Sequence, residues 1–100
     1  MRIKIKAYCL TIAKDLSKGL SSNALYKGQR SNLFIDGQYF PAHIYDIVNQ
    51  DVVAFDTTAE LYIEIILNGS EELSHFLLEK KFELREANHL VAMAVVKELL

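Results

Sequence analysis

The sequence has little of the residues that mark several classes of protein. It contains one cysteine, one proline, four glycines and no tryptophan among 100 residues. A single cysteine excludes an internal disulfide, and the apolar alternation around Cys9 predicts a buried thiol rather than a reactive one. Because proline is scarce and 51% of the residues are hydrophobic, the chain is globular rather than disordered.

Long apolar runs are also missing. No stretch reaches the roughly 18 consecutive apolar residues that a membrane-spanning helix needs. No signal peptide is visible at the start of the chain. We therefore expect a cytoplasmic protein without membrane association, and 1–100 has the length of a single domain.

The residue clusters that carry metal or catalytic chemistry are absent too. His43, His75 and His89 lie in three separate segments and form no closely spaced pair, so we expect no metal ion and no cofactor. Most carboxylates alternate with apolar residues, as the residues of solvent-exposed faces do. The sequence predicts no enzyme and no catalytic residues; the alternative is a site assembled in space from Asp46, Asp56 and His43.

Charge is unevenly distributed along the chain. The net charge of −2 argues against a nucleic-acid-binding domain, which is usually basic. Residues 2–30 nevertheless hold seven of the eleven cations, whereas 46–72 contains carboxylates and neither lysine nor arginine. This asymmetry is consistent with one positive face or with an ordinary solvated surface.

The clearest structural signal is a hairpin at 81–96. Phe82 and Leu84 alternate with charged residues, which is typical of a strand with one face in water. Ala87-Asn88 interrupts the pattern, and asparagine tolerates the left-handed conformation of a tight turn. The apolar run 90–96 predicts a second strand that is buried on both faces.

Alternating apolar residues predict further strands, separated by turn-forming residues. Two segments are different: 13–24 is rich in Ser, Asn and Gly and is expected to be an irregular loop, and 70–78 has the spacing of a short helix capped by Ser70. Pro41 predicts a bulge or an edge within its strand. The remaining predicted strands cover 2–12, 32–35, 38–47, 52–55 and 60–67, and 25–29 is predicted to be a short strand and turn.

The hairpin also resembles a known family. Its residues fall without a gap on the last hairpin of the C-terminal β-barrel domain of elongation factor Tu, with the Phe-x-x-Arg-Glu core intact. A second ungapped match, 19–35, keeps Gly19, Gly28 and Arg30. The resemblance implies a closed, six-stranded antiparallel Greek-key barrel. The matching hairpin residues are Phe82, Leu84, Arg85, Glu86, Val91, Val95 and Val96.

The resemblance implies function as well as fold. In the family this domain performs no chemistry; it contacts aminoacyl-tRNA, the GTPase domain and the nucleotide-exchange factor. The phosphate-binding Arg-His pair of the family falls on Ser21 and Ser22, which argues against inherited tRNA binding. By position, the residues that would contact RNA are Arg30, Asn32, Glu86, Ala87 and His89.

We therefore expect a non-catalytic binding module that acts through protein–protein contact. The alternative is a domain that binds tRNA or another RNA through its basic 2–30 region. Arg30 and Arg85 have a further reading, in which they brace strands through Glu86. Self-association is also expected, because apolar side chains are predicted on the outward side of four positions, two in the first strand and two in the strand at 60–67. These outward residues are Tyr8, Leu10, Tyr62 and Ile66.

Overall fold

The structure is a computed structural model that describes residues 1–14 and 23–100. Most of the loop predicted at 13–24, including Ser21 and Ser22, lies outside the described residues. The described parts contain eight strands and one 3₁₀ helix, Ser70–Phe76. The strands are β1 (Arg2–Thr11), β2 (Leu25–Tyr26), β3 (Arg30–Ile35), β4 (Gln38–Ile47), β5 (Val52–Val53), β6 (Thr58–Ile66), β7 (Lys81–Glu86) and β8 (His89–Leu99).

Six of the strands form a closed antiparallel barrel in the order β1–β6–β4–β3–β7–β8. β8 pairs back onto β1 and closes the cylinder, while β2 and β5 pair with each other in a small second sheet. The barrel strands β3, β4 and β6 follow one another in the chain and lie side by side. The earlier strand β1 lies beside β6, the last of the three, which is the Greek-key arrangement. The predicted fold is confirmed.

The barrel follows from strict alternation of apolar and polar residues. In β1, Ile3, Ile5 and Cys9 point inward and are buried, whereas the basic residues between them face outward. In β6, Leu61 and Ile63 are fully buried in the same way. Cys9 is 1% exposed, so the predicted core thiol is confirmed.

β8 departs from the prediction of burial on both faces. Ala92, Ala94 and Val96 point into the core, but Met93 is 54% exposed and Val95 is only half-buried. The prediction was wrong because each strand of a closed barrel has one inner and one outer face, and nothing in the described structure covers the outer one. The apolar run therefore places hydrophobic side chains on the surface.

Two hairpin turns contain residues with positive φ. Asp36 and Gly37 both have positive φ, at 51° and 77°, as a two-residue turn between twisted strands requires. In the β7–β8 turn the residue with positive φ is Ala87, at 53°, and not Asn88 as the sequence predicted. In this turn the first position has the left-handed conformation, and the first position is occupied by Ala87, which has no particular preference for that conformation.

Pro41 lies within β4 opposite Asn32 of β3. The register set by the two-residue turn makes Pro41 and Asn32 a non-hydrogen-bonded pair, so the Pro41 nitrogen points away from β3 and toward β6. The ladder between β4 and β6 begins only at Ala42. The N–H that Pro41 lacks would therefore have formed no ladder hydrogen bond on either side. The irregularity of β4 lies elsewhere, as a bulge between Ile44 and Asp46.

The predicted short helix is confirmed, although it is a 3₁₀ helix. Its N-cap is Gly69 and not Ser70, and no side chain caps it. Instead, the Glu72 carboxylate accepts the backbone N–H of Asn68 at 2.6 Å. Phe76, 2% exposed, packs edge-on against Phe40 with ring centroids 5.4 Å apart, so the helix covers one end of the barrel.

Candidate functional site

A groove of about 210 Å³ crosses the outer wall of the barrel over β3 and β4, and we call it the arginine groove. Arg30, Asn32 and His43 reach it because the alternating residues of β3 and β4 that are not in the core must face outward. Its other lining side chains come from neighbouring strands and include Arg2, Glu64, Arg85 and Glu86.

The arginine groove brings together three of the five residues predicted to contact RNA, namely Arg30, Asn32 and Glu86. Ala87 and His89 are exposed in the adjacent β7–β8 hairpin and do not line the groove. Of the three residues in the enzyme alternative, His43 lines the groove, but Asp46 and Asp56 do not. The structure therefore does not assemble that set at this site.

Three of the described cations of 2–30 are paired with carboxylates of 46–72. The β1–β6 register places Arg2 beside Glu64, at 3.1 Å, and Lys6 beside Glu60, at 3.4 Å. Lys27, which follows β2, pairs with Asp46 of β4 at 3.6 Å. Each such exposed pair is weak but lowers the local positive potential.

Arg30 is a cation of the arginine groove. Its exposed side chain makes no ion pair or hydrogen bond with residues 1–14 or 23–100. Asn32, its outward neighbour on β3, is also exposed. A guanidinium with no carboxylate partner, beside an amide, can bind a phosphate or carboxylate group, which makes Arg30 a candidate anion-binding residue of the groove.

Arg85 is held in place by other groups. Its guanidinium lies 2.6 Å from the Glu83 carboxylate, donates a hydrogen bond to the Tyr39 hydroxyl and stacks 4.1 Å from the centre of the Phe34 ring. Glu83 and, secondarily, Tyr39 raise the pKa of Arg85. The prediction that Glu86 braces this arginine was wrong.

Glu86 braces a different part of the fold. One of its oxygens accepts hydrogen bonds from the Gln29 side-chain amide and, at 3.0 Å, from the Ser31 hydroxyl. Gln29 is only 4% exposed, and its own amide oxygen accepts the N–H of Tyr26 at 3.0 Å. Glu86 thus joins the β2–β3 connection to the terminal hairpin, which is a structural role.

Sequence reasoning did not find the aromatic pairs of the outer wall. Tyr45 and Tyr62 lie 6.0 Å apart across β4 and β6, with Lys4 and Lys6 above the rings at 5.2 Å and 5.8 Å. Partial burial, with nearby tyrosine and carboxylate groups, raises the pKa of Tyr45. The pairing depends on the β4 bulge and on the β4–β6 register, which no local pattern reveals.

A second surface lies on the outside of β1 and β8, and we call it the apolar patch. It consists of Tyr8, Leu10, Met93 and Val95, which line a groove of about 280 Å³. Tyr8, Leu10 and Met93 are 41%, 51% and 54% exposed. The outward orientation predicted for Tyr8 and Leu10 is confirmed, whereas Met93 and Val95 were expected to be buried.

The other two predicted surface residues lie apart from this patch. Ile66 is exposed near the end of β6, and Tyr62 is half-buried under Lys6. Neither lines the groove beside Leu10. The apolar patch therefore forms from two strands that are neighbours only because the barrel closes.

Chemically reactive groups are sparse in the described residues. Burial raises the pKa of the Cys9 thiol to about 11, so almost none of it is ionised at neutral pH. Within 1–14 and 23–100, no group of three His, Cys, Asp or Glu side chains is arranged to hold a metal ion. The same residues contain no helix that is long and apolar enough to cross a membrane.

The class of protein that these observations define is a closed, six-stranded Greek-key barrel with two candidate binding surfaces on its outer wall. No protein-family model matches the chain, and no curated protein matches it.

Proposed function

We propose that this barrel is a non-catalytic binding module that acts by contact with another protein in the cytoplasm, similar in kind to the C-terminal domain of elongation factor Tu. The observation that carries this proposal is the apolar patch. Tyr8, Leu10 and Met93 face water although the inward residues of the same strands already fill the core. Exposed apolar patches on compact domains commonly mark interaction sites.

The resemblance in the terminal hairpin supports the same function. Phe82 and Leu84, two of the matching residues, are buried in the barrel, so the likeness includes residues that build the fold. The role in translation that the likeness suggests is part of the proposal.

An affinity capture experiment tests the proposal. Tagged wild-type protein should retain one or more proteins from a cell lysate, and Leu10→Glu should lose them because it buries a charge in the contact. Val52→Glu is the matched control, since Val52 is a 44% exposed apolar residue of β5, outside the patch. Circular dichroism and thermal unfolding confirm that each variant is folded.

Two results would count against binding of a different protein through this surface. One is that the wild-type protein retains nothing above the level of an empty resin. The other is that Leu10→Glu retains the same proteins as the wild type does.

RNA binding at the arginine groove is a second proposed function. The observation that favours it is the exposed Arg30 guanidinium, which has no ion pair with residues 1–14 or 23–100 and shares the outer face of β3 with Asn32. Glu86 lines the same groove, and Ala87 and His89 adjoin it in the hairpin. The carboxylates of Glu64 and Glu86 oppose a polyanion, which is why protein contact is the leading proposal.

A filter-binding titration with tRNA at low salt tests this second proposal. Arg30→Gln should weaken retention and reduce the slope of log affinity against log salt by about one. Lys27→Gln is the control, because Lys27 is already paired with Asp46 at 3.6 Å and lies outside the groove. Absence of RNA retention, or retention that does not depend on salt, rules RNA binding out.

A further inference from the structure

Two rows of outward-facing side chains cross the apolar patch from β7 to β6. They follow directly from the register of the four neighbouring strands β7, β8, β1 and β6. The first row is Lys81, Val95, Tyr8 and Glu60, and the second is Glu83, Met93, Leu10 and Thr58. The first row therefore has a cation at one end, two apolar residues in the middle and an anion at the other end.

We propose that the apolar patch binds a second copy of this chain and that a two-fold axis relates the two copies. The axis lies in the interface, over the line between β1 and β8, and runs parallel to these strands. The proposal rests on the proposed function, because it names the partner of the same surface. Rotation about this axis places β8 of one copy on β1 of the other, and β7 on β6, without displacement along the strands. Each row therefore meets the same row of the second copy in reverse order.

The apolar residues in the middle of the rows then match. Tyr8 of one copy lies on Val95 of the second, and Leu10 lies on Met93. Each contact occurs twice because of the symmetry. The dimer thus buries Tyr8, Leu10 and Met93, which are between 41% and 54% exposed in the single barrel, against apolar surface.

The charged ends of the first row match as well. The axis places Lys81 opposite Glu60 of the second copy on both sides of the interface. The exposed Lys81 makes no ion pair or side-chain hydrogen bond within the described residues, so it is available. Glu60 uses only one carboxylate oxygen, which lies 3.4 Å from Lys6, and its side chain is 45% exposed. Both side chains are long enough to reach across as the barrel wall curves away.

The second row has no like charges in opposition. Glu83 meets Thr58, and Glu83 is already paired with Arg85 at 2.6 Å. The surface is therefore complementary to itself, with an apolar centre and ends of opposite charge. Self-complementarity of this kind is required for a symmetric homodimer but not for binding an unrelated protein. We therefore choose a second copy of the chain as the partner.

Charge reversal tests this geometry by sedimentation equilibrium. The wild-type protein should show a concentration-dependent dimer. Lys81→Glu alone and Glu60→Lys alone should each weaken association about tenfold, because each places two like-charged contacts in the homodimer. An equimolar mixture of the two variants should dimerise again, because both contacts in the mixed dimer join opposite charges.

Lys27→Glu is the matched control, since Lys27 lies in the connection between β2 and β3 and should leave association unchanged. The proposal is overturned if the wild-type protein is monomeric up to its solubility limit, or if the mixture stays as weakly associated as its components. A monomer that still captures a protein through Leu10 leaves the proposed function intact. A dimer that persists in Leu10→Glu overturns the patch as its interface.

Discussion

The Nδ1 atom of His75 lies 2.7 Å from Oδ2 of Asp36, and this contact fixes the 3₁₀ helix on the β3–β4 turn. The other Asp36 oxygen binds the Lys80 ammonium group, also at 2.7 Å. Lys80 and then His75 hold the pKa of Asp36 below its ordinary value. We call the ion pairs of Asp36 with His75 and Lys80 the clamp. The neighbouring Phe76, which we call the plug, is buried in the core, so both contacts hold the helix to the same end of the barrel.

The first prediction follows from the lowered pKa of Asp36. Its ionised form is favoured by folding, so its contribution to stability is present above the unfolded pKa near 4 and is lost as the pH falls through the folded pKa. Wild-type protein should be more stable than Asp36→Asn at about pH 6, and the difference should vanish at about pH 2. Urea unfolding at both pH values measures it.

Asn is the appropriate replacement because Asp36 has φ at 51°, a conformation that asparagine tolerates. An equal stability difference at both pH values would contradict the clamp. It would mean that the substitution acts through the turn conformation and not through the charge.

The strands were largely predictable from the sequence, for a physical reason. Alternation along one strand reports directly which residues face the core, so β1, β6 and β7 could be located from local patterns. β8 was also located from its apolar run, but its burial was not predictable, because such a run does not show whether the second face of the strand meets another layer or water. Met93 lies on that second face and is 54% exposed.

The candidate site was less predictable. Alternation does place Arg30 and Asn32 on the outside of β3, and both line the arginine groove. The pairing of Arg2 with Glu64, however, depends on the register of two strands far apart in the sequence. The β7–β8 turn shows a similar limit, because Ala87 has positive φ although its side chain has no preference for it.

The second prediction concerns the plug at the barrel end. Phe76→Ala should lower the free energy of unfolding by about 3–5 kcal/mol, because it removes a buried ring and leaves a cavity against Phe40. Chemical denaturation measures the loss. Leu77→Ala, at the next position but 63% exposed, should change stability by less than about 0.5 kcal/mol. Equal losses in the two variants would show that Phe76 is not a core residue.

The third prediction concerns the buried thiol. With its pKa raised to about 11 and 1% exposure, Cys9 should react with Ellman's reagent at pH about 8 only as fast as the protein opens. Denaturant should make the reaction fast. Leu10→Cys in a Cys9→Ala background moves the thiol one position along β1 to the outer face, and it should react rapidly in the folded protein. Fast labelling of native Cys9 would contradict its inward orientation.

The fourth prediction concerns Glu86. Glu86→Ala removes the acceptor for the buried Gln29 amide and for the Ser31 hydroxyl, so it should cost about 1–3 kcal/mol of unfolding free energy. Glu86→Gln keeps an acceptor oxygen and should cost less. Glu98→Ala is the control, because the exposed Glu98 forms no ion pair in the described structure. Equal stability of Glu86→Ala and the control would refute the structural role.

The position of β1 has a consequence for synthesis on the ribosome. β1 is translated before both of its neighbours in the barrel, β6 (Thr58–Ile66) and β8 (His89–Leu99). Nascent β1, with Ile3 and Ile5 unprotected, must therefore wait until β8 has emerged from the exit tunnel. The basic residues that alternate with these apolar side chains keep β1 charged and hydrated until then.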